Sequence, residues 1–226
     1  MISSSKNTPR TTRQSKLTED DYVYRMMLTG GGGSVYWNYY PNDKASGDVI
    51  ARLQRGEVLT AEELADFPRE LRFDPPKSGN IPEIISMSTG PHIVCPQFRD
   101  WLEELEPGRH EFHPIAMHST RKFKGATDHG TYYLIVRPPV IDAIVVEDTV
   151  FWGGKVGHEG LQPDGRFSLS NVENDPCYIN RKAIEGHHFW QLKGSRVAFM
   201  FSAELLRRYR AHKFRGLDIR HKCILK

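Results

Sequence analysis

Cysteine is scarce in this chain. The 226 residues hold three, Cys95, Cys177 and Cys223, set far apart and without a C-x-x-C pair. An odd count at such spacing argues against both a disulfide framework and a zinc ribbon, and a reducing compartment is the expectation. Long apolar runs are missing too. No stretch of about 18 apolar residues occurs, so no transmembrane helix is expected. The opening "MISSSKNTPRTTRQSK" has no apolar segment and does not read as a secretory signal. These absences predict a cytoplasmic protein with no membrane partner. Charge of one sign is also in short supply: the formal net charge is +3. A dedicated nucleic-acid binder carries a stronger basic bias, so nucleic acid is disfavoured as a partner.

Catalytic strings are absent as well. No G-x-S-x-G elbow is present. The glycine run in "TGGGGSVYWNYY" (29–40) follows a strand-like stretch, as a phosphate loop would. It lacks the Lys of a P-loop and the spacing of a dinucleotide turn. A flexible loop is the simpler reading. No cofactor is implied.

What is present is a core. Aromatic residues make up 11% of the chain, with four Trp, nine Tyr and eleven Phe, which argues against wholesale disorder. Residues 1–19 are Ser, Thr, Lys and Arg with little to bury and are expected to form a disordered tail. Residues 20–79 read as a variable N-terminal lobe, ending in the Pro- and Gly-rich "DPPKSGNIP" (74–82). Residues 80–226 read as the main domain. Within it "CPQFRDWLEEL" puts Phe98, Trp101, Leu102 and Leu105 on one helical face, with Pro96 in the first turn. Strand-like runs follow at 110–117, 131–140, 142–152, 165–172, 187–194 and 195–201. Ser202 then caps a helix with Leu205, Leu206 and Tyr209 facing inward. Gly216 is expected to turn the chain into one closing strand, "LDIRHKC". Many strands and few helices in irregular order predict an α+β fold with mainly antiparallel sheet.

Three groups of residues invite a chemical reading. His110, His113 and His118 stand close together, but H-E-x-H followed by Pro114 is not the helical zinc pattern. On a strand His110 and His113 point to opposite faces. Surface histidines are the better account, so neither a metal site nor a catalytic residue is assigned, and a small metal-dependent hydrolase stays only as an alternative. Arg207, Arg208, Arg210, Arg215 and Arg220 form a basic C-terminal stretch. It could grip phosphates, the basis of a second alternative, a nucleic-acid-binding regulator, or steer an acidic protein surface. Tyr36, Trp37, Tyr39 and Tyr40 are of the types enriched in binding hot spots, although a strand with one buried face is the better account of them.

The order of elements over residues 80–225 resembles the Imm11 immunity-protein family. The resemblance rests on the amphipathic "CPQFRDWLEEL", on "FHPI", on "TYYLIVRPPVIDAI", and on a closing unit. In this chain the closing unit falls on His188, Phe189, Gly194, Val197, Ser202, Leu205, Tyr209, Gly216, Leu217 and Ile219. A hydrophilic excursion separates the two halves. Ile219 stands where Phe is usual, and the last residues are unusually basic. The resemblance implies a cytoplasmic protein that neutralises a cognate polymorphic toxin by binding it, with no catalysis and no cofactor. A slightly basic chain is a poor mimic of nucleic acid. An acidic toxin surface, or occlusion through aromatic residues, fits better.

Overall fold

Tyr22–Arg25, the first strongly apolar stretch, lies mid-sheet in the largest sheet. The computed structural model describes residues 17–28, 52, 57–65, 69–73, 81–85, 92–121, 125–195, 198–215 and 217–226. Tyr36, Trp37, Tyr39, Tyr40 and Gly216 lie outside the described residues. The strands are β1 (Tyr22–Arg25), β2 (Met27–Leu28), β3 (Glu70–Phe73), β4 (Ile84–Ile85), β5 (Ile93–Val94), β6 (Glu111–Arg121) and β7 (Gly125–Arg137). There follow β8 (Val140–Ile141), β9 (Tyr178–Ile179), β10 (Phe189–Leu192), β11 (Phe199–Ser202), β12 (Leu217–Asp218) and β13 (Lys222–Leu225). Among the described residues three α-helices join them: α1 (Ala61–Ala65), α2 (Pro96–Leu105) and α3 (Ala203–Ala211).

One sheet runs β8-β10-β11-β1-β13-β9 and a second β3-β6-β7-β5-β4, with β12 and β2 forming a short ribbon. Most pairings are antiparallel; β8 with β10, β9 with β13, and β3 with β6 are parallel. The fold is α+β, as the mixture of periodicities predicts. The long β6–β7 pair carries Ile115, Met117, Leu134 and Val136 inward to a core with Ile85 and Ile93.

A larger core lies between the two sheets and helices α2 and α3. Phe98, Trp101 and Leu102 of α2 meet Leu205, Leu206 and Tyr209 of α3, together with Phe189, Phe199 and Phe201. The helical spacing seen in the sequence is the spacing of these buried faces. Trp101 stacks on Phe214 at 4.7 Å between ring centres, and Phe98 meets Phe189 edge-on at 6.1 Å. Burying each such side chain contributes about 1.5–3 kcal/mol. Ser202 caps α3, its Oγ accepting the Leu205 amide at 3.2 Å. Past the C-terminal end of α3 it is Lys213 that takes the left-handed conformation, at φ 55°.

Three expectations are corrected. The closing stretch is two strands, not one. Leu217–Asp218 pairs with β2, whereas Lys222–Leu225 enters the large sheet between β1 and β9. Asp218 accepts both the amide and the guanidinium of Arg220 in the intervening bend, so Leu217 and Cys223 serve different sheets.

The runs 142–152 and 165–172 are not extended strands. The first holds the 3-10 turns 146–148 and 152–154, the second is irregular, and single bridges tie them in, Ile144 to Ile179, Val150 to Val156 and Phe151 to Leu169. Positive φ at Gly153, Gly154 and Gly157 interrupts any longer ladder. The apolar residues are buried all the same: Phe151 is wholly inside, against Phe167. Gly160 packs so closely on Phe151 that a Cβ there would collide with the ring.

The third correction concerns cysteine. Cys177 and Cys223 form a disulfide across 46 residues, and Cys95 alone is free and buried. Parallel pairing of β13 with β9 brings the two cysteines together, Ile224 facing Tyr178. Sequence spacing gives no hint of that, and the reducing compartment inferred from spacing loses its basis.

Candidate partner-binding surface

The basic stretch is basic in sequence but largely paired in space. Arg208 meets Glu104 of α2 through two hydrogen bonds of 2.8 and 2.9 Å, and reaches Glu204 on its own helix. Arg207 reaches Asp20 and Glu204, and Arg210 pairs with Glu19. Arg220 is held by Asp218 and lies 3.9 Å from Glu173. The acidic 3-10 turn Glu19–Asp21 thus sits against the exposed side of α3. Asp20, then Glu204, raises the Arg207 pKa, and Glu104 does the same for Arg208. Arg215 is exposed, and among the described residues its guanidinium has no ion pair.

The histidines do not converge on a metal. Among the described residues no cluster of three or more His, Cys, Asp or Glu is arranged to hold one. His118 lies 3.9 Å from both Glu70 and Asp128. His110 belongs to a buried node that sequence spacing did not reveal. Glu106, just after α2, accepts from His110 Nε2 at 2.9 Å and from the Phe189 amide at 2.9 Å, and meets His187 Nδ1 at 3.2 Å. Glu106 and His110 side chains are fully enclosed. Burial pushes the Glu106 carboxyl up, but the His110 contact and the Phe189 and His188 amides outweigh it and hold its pKa below the ordinary value. The node locks the end of α2 to the start of β10.

The hydrophilic excursion builds a different surface. Val150, Phe151 and Trp152 alternate in direction, as extended residues do. Phe151 goes inward, so Val150 and Trp152 face out. Val156 is bridged to Val150 and shares its face. Gly153 and Gly154, at φ 80° and 74°, make the turn that leaves Trp152 at its edge. Trp152 is 62% exposed, Val156 53% and Val172 63%.

Beside them opens a small cleft of about 20 Å³. Arg25, Val150, Ser170, Val172, Asp175 and His221 line it, over the Cys177–Cys223 bond. Arg25 is only 7% exposed. Its Nη1 donates to the carbonyls of Ser170 and Leu169, at 3.0 and 3.5 Å. Among the described residues its Nε has no hydrogen-bond partner and its guanidinium no carboxylate within 4 Å. Burial lowers its pKa.

The family model of the Imm11 immunity proteins matches residues 18–222. The chain belongs to the Imm11 immunity protein family. The match takes in β1 to β3 as well as residues 80–222 of the stretch that carries the resemblance. No curated protein matches the chain. Among the described residues of this Imm11 member, no helix is long and apolar enough to cross a membrane.

The excursion face was missed because "FWGGK" reads as the end of a strand. Its Gly-Gly pair after Trp was the available signal, since paired glycines mark a turn and a turn exposes the residue before it. Arg25 offered no comparable signal. An arginine in "YVYRMML" reads as a strand residue of either face.

Proposed function

We propose that this protein binds a cognate bacterial toxin and neutralises it by occlusion, without catalysis. Family membership over residues 18–222 is the observation that carries this reading. Two features support it. The one buried cluster of titratable groups described above, Glu106 with His110 and His187, is closed over by α2 and β10 and ties them together. The exposed face also offers Trp152, a residue type enriched in binding hot spots.

The net charge of +3 favours an acidic partner surface over mimicry of nucleic acid. The arginines Arg207, Arg208, Arg210, Arg215 and Arg220 are proposed as secondary contacts, reached by exchanging their internal carboxylates for those of the toxin. The test is co-expression with the toxin encoded beside the gene. Rescue of growth and a stable one-to-one complex on gel filtration are expected. Persistent toxicity with no complex sinks the reading.

A further inference from the structure

Among the described residues Arg25 is a buried cation with no carboxylate partner. A buried guanidinium that meets only carbonyl oxygens has lost its hydration without gaining a counter-charge. Structural arginines at such depth are generally paired. The arginines on α3 show that this chain can supply carboxylates where it needs them, Glu104 to Arg208 and Glu19 to Arg210. The groups around Arg25 do not neutralise it. Asp175 lines the same cleft and keeps its charge while accepting from Ser170 Oγ at 2.5 Å, but it makes no ion pair with Arg25 within 4 Å. His221 lines the cleft as well, whereas the Lys222 ammonium rests on the Tyr22 ring at 4.0 Å, on the other face of β1.

The cleft therefore combines a cationic floor with an apolar rim. Val150 and Val172 line its wall, and Val156 and Trp152 continue the apolar surface outward through the Val150–Val156 bridge. Hot spots have this composition: an aromatic anchor and an arginine, ringed by residues that exclude water.

We propose that this face is where the toxin docks, with Trp152 as anchor and an Asp or Glu side chain of the toxin inserted toward Arg25. The proposal rests on the immunity reading and adds the face and the chemistry. A carboxylate meeting a guanidinium in a desolvated cleft forms the stronger, charge-assisted type of hydrogen bond. It would supply the counter-charge the fold withholds.

The test uses the full-length protein and the toxin encoded beside it, with dissociation constants measured by calorimetry at fixed salt. Val172 is exposed, so Val172→Glu and Val172→Lys should both fold, with unchanged melting temperature. Val172→Glu is expected to weaken binding at least tenfold by repelling the incoming carboxylate, and Val172→Lys to weaken it less than threefold. Trp152→Ala is expected to lose at least tenfold. Arg137→Ala, on β7 of the second sheet where it pairs with Glu111, is expected to change binding less than threefold. Arg25→Gln should lose at least tenfold if it remains folded; if it does not fold, the Val172 pair decides the question. Equal losses for Val172→Glu and Val172→Lys overturn the carboxylate. Wild-type affinity in both Val172→Glu and Trp152→Ala overturns the whole proposal. Absence of any complex with the unaltered protein overturns instead the immunity reading on which it rests.

Discussion

Two arginines describe two ways this molecule handles charge. Arg208 lies on the outer side of α3 with a carboxylate from a neighbouring helix and another from its own. Arg25 lies inside, on the central strand of the large sheet, with none among the described residues. The α3 region is conspicuously charged in sequence, yet its charges are mostly satisfied within the fold. The β1 region is inconspicuous in sequence, yet it holds a charge that no carboxylate among the described residues meets. A run of like charges in sequence measures density, not availability. Availability depends on which acidic residues the fold brings near, and Glu19, Asp20 and Glu104 arrive from far away in the chain.

The comparison predicts that polar groups inside matter far more to stability than those on α3. The largest effect is expected at Glu106. Its removal strands His110 and the Phe189 amide in a dry interior, and breaking a buried pair typically costs about 3–5 kcal/mol. Urea unfolding of Glu106→Ala should show a loss of that size; a change under about 1 kcal/mol would mean that the node is wetter than its geometry indicates. The disulfide beneath the Arg25 cleft comes next. It closes a loop of 46 residues, for which chain-entropy arguments give roughly 4 kcal/mol and practice about 2–4. Cys177→Ser should lower stability accordingly. Denatured without reductant, the wild-type protein should expose a single reactive thiol, that of Cys95, and three after reduction. Three thiols without reductant would show that the bond does not form.

The same contrast explains what the sequence could convey. The faces of α2 and α3, the Ser202 cap and the α+β class were all legible, because each depends on neighbours three or four residues apart. The Cys177–Cys223 bond, the Glu106 node and the Arg25 cleft were not. Each joins segments more than 40 residues apart, and two of them require a particular strand order. The 142–188 excursion misled for a further reason. Its apolar residues are buried from turns and single bridges, and a turn imposes no period for a pattern to betray.

A smaller interior effect should appear as pH dependence. His92 is enclosed beside Phe199, and among the described residues neither ring nitrogen has a hydrogen-bond partner. Burial lowers its pKa from 6.5 to about 3. Between those values the unfolded chain binds a proton that the folded chain refuses, so stability falls as pH falls through 6.5 and goes on falling to about 3. The slope approaches about 1.4 kcal/mol per pH unit. Glu106 acts in the same direction, but only below its ordinary value of 4.5. Burial also lowers the His113 and His188 pKa values, so these contribute between pH 6.5 and about 5 as well; the His92 share is the part of that limb that His92→Leu removes. An unchanged slope would place the imidazole in contact with water.

The smallest effect is expected at Arg208, where the sequence is most charged. Its pairing with Glu104 has good two-pronged geometry, yet the Glu104 side chain is 64% exposed. Coulomb attraction there competes with water, salt and the freedom of two long side chains. Exposed pairs of this kind contribute about 0.2–1 kcal/mol. Arg208→Ala should lose no more than that, and the difference from wild type should shrink between low and high salt. A double-mutant cycle with Glu104→Ala measures the coupling directly. A coupling energy well above about 1 kcal/mol would mean that α3 is clamped to α2 by charge as well as by Trp101, Leu205 and Tyr209. The arginine face would then be a structural seam, and its carboxylates would not be free to exchange with those of a partner. A coupling near zero leaves Arg208 able to turn outward at little cost, which a secondary contact to an acidic toxin surface requires.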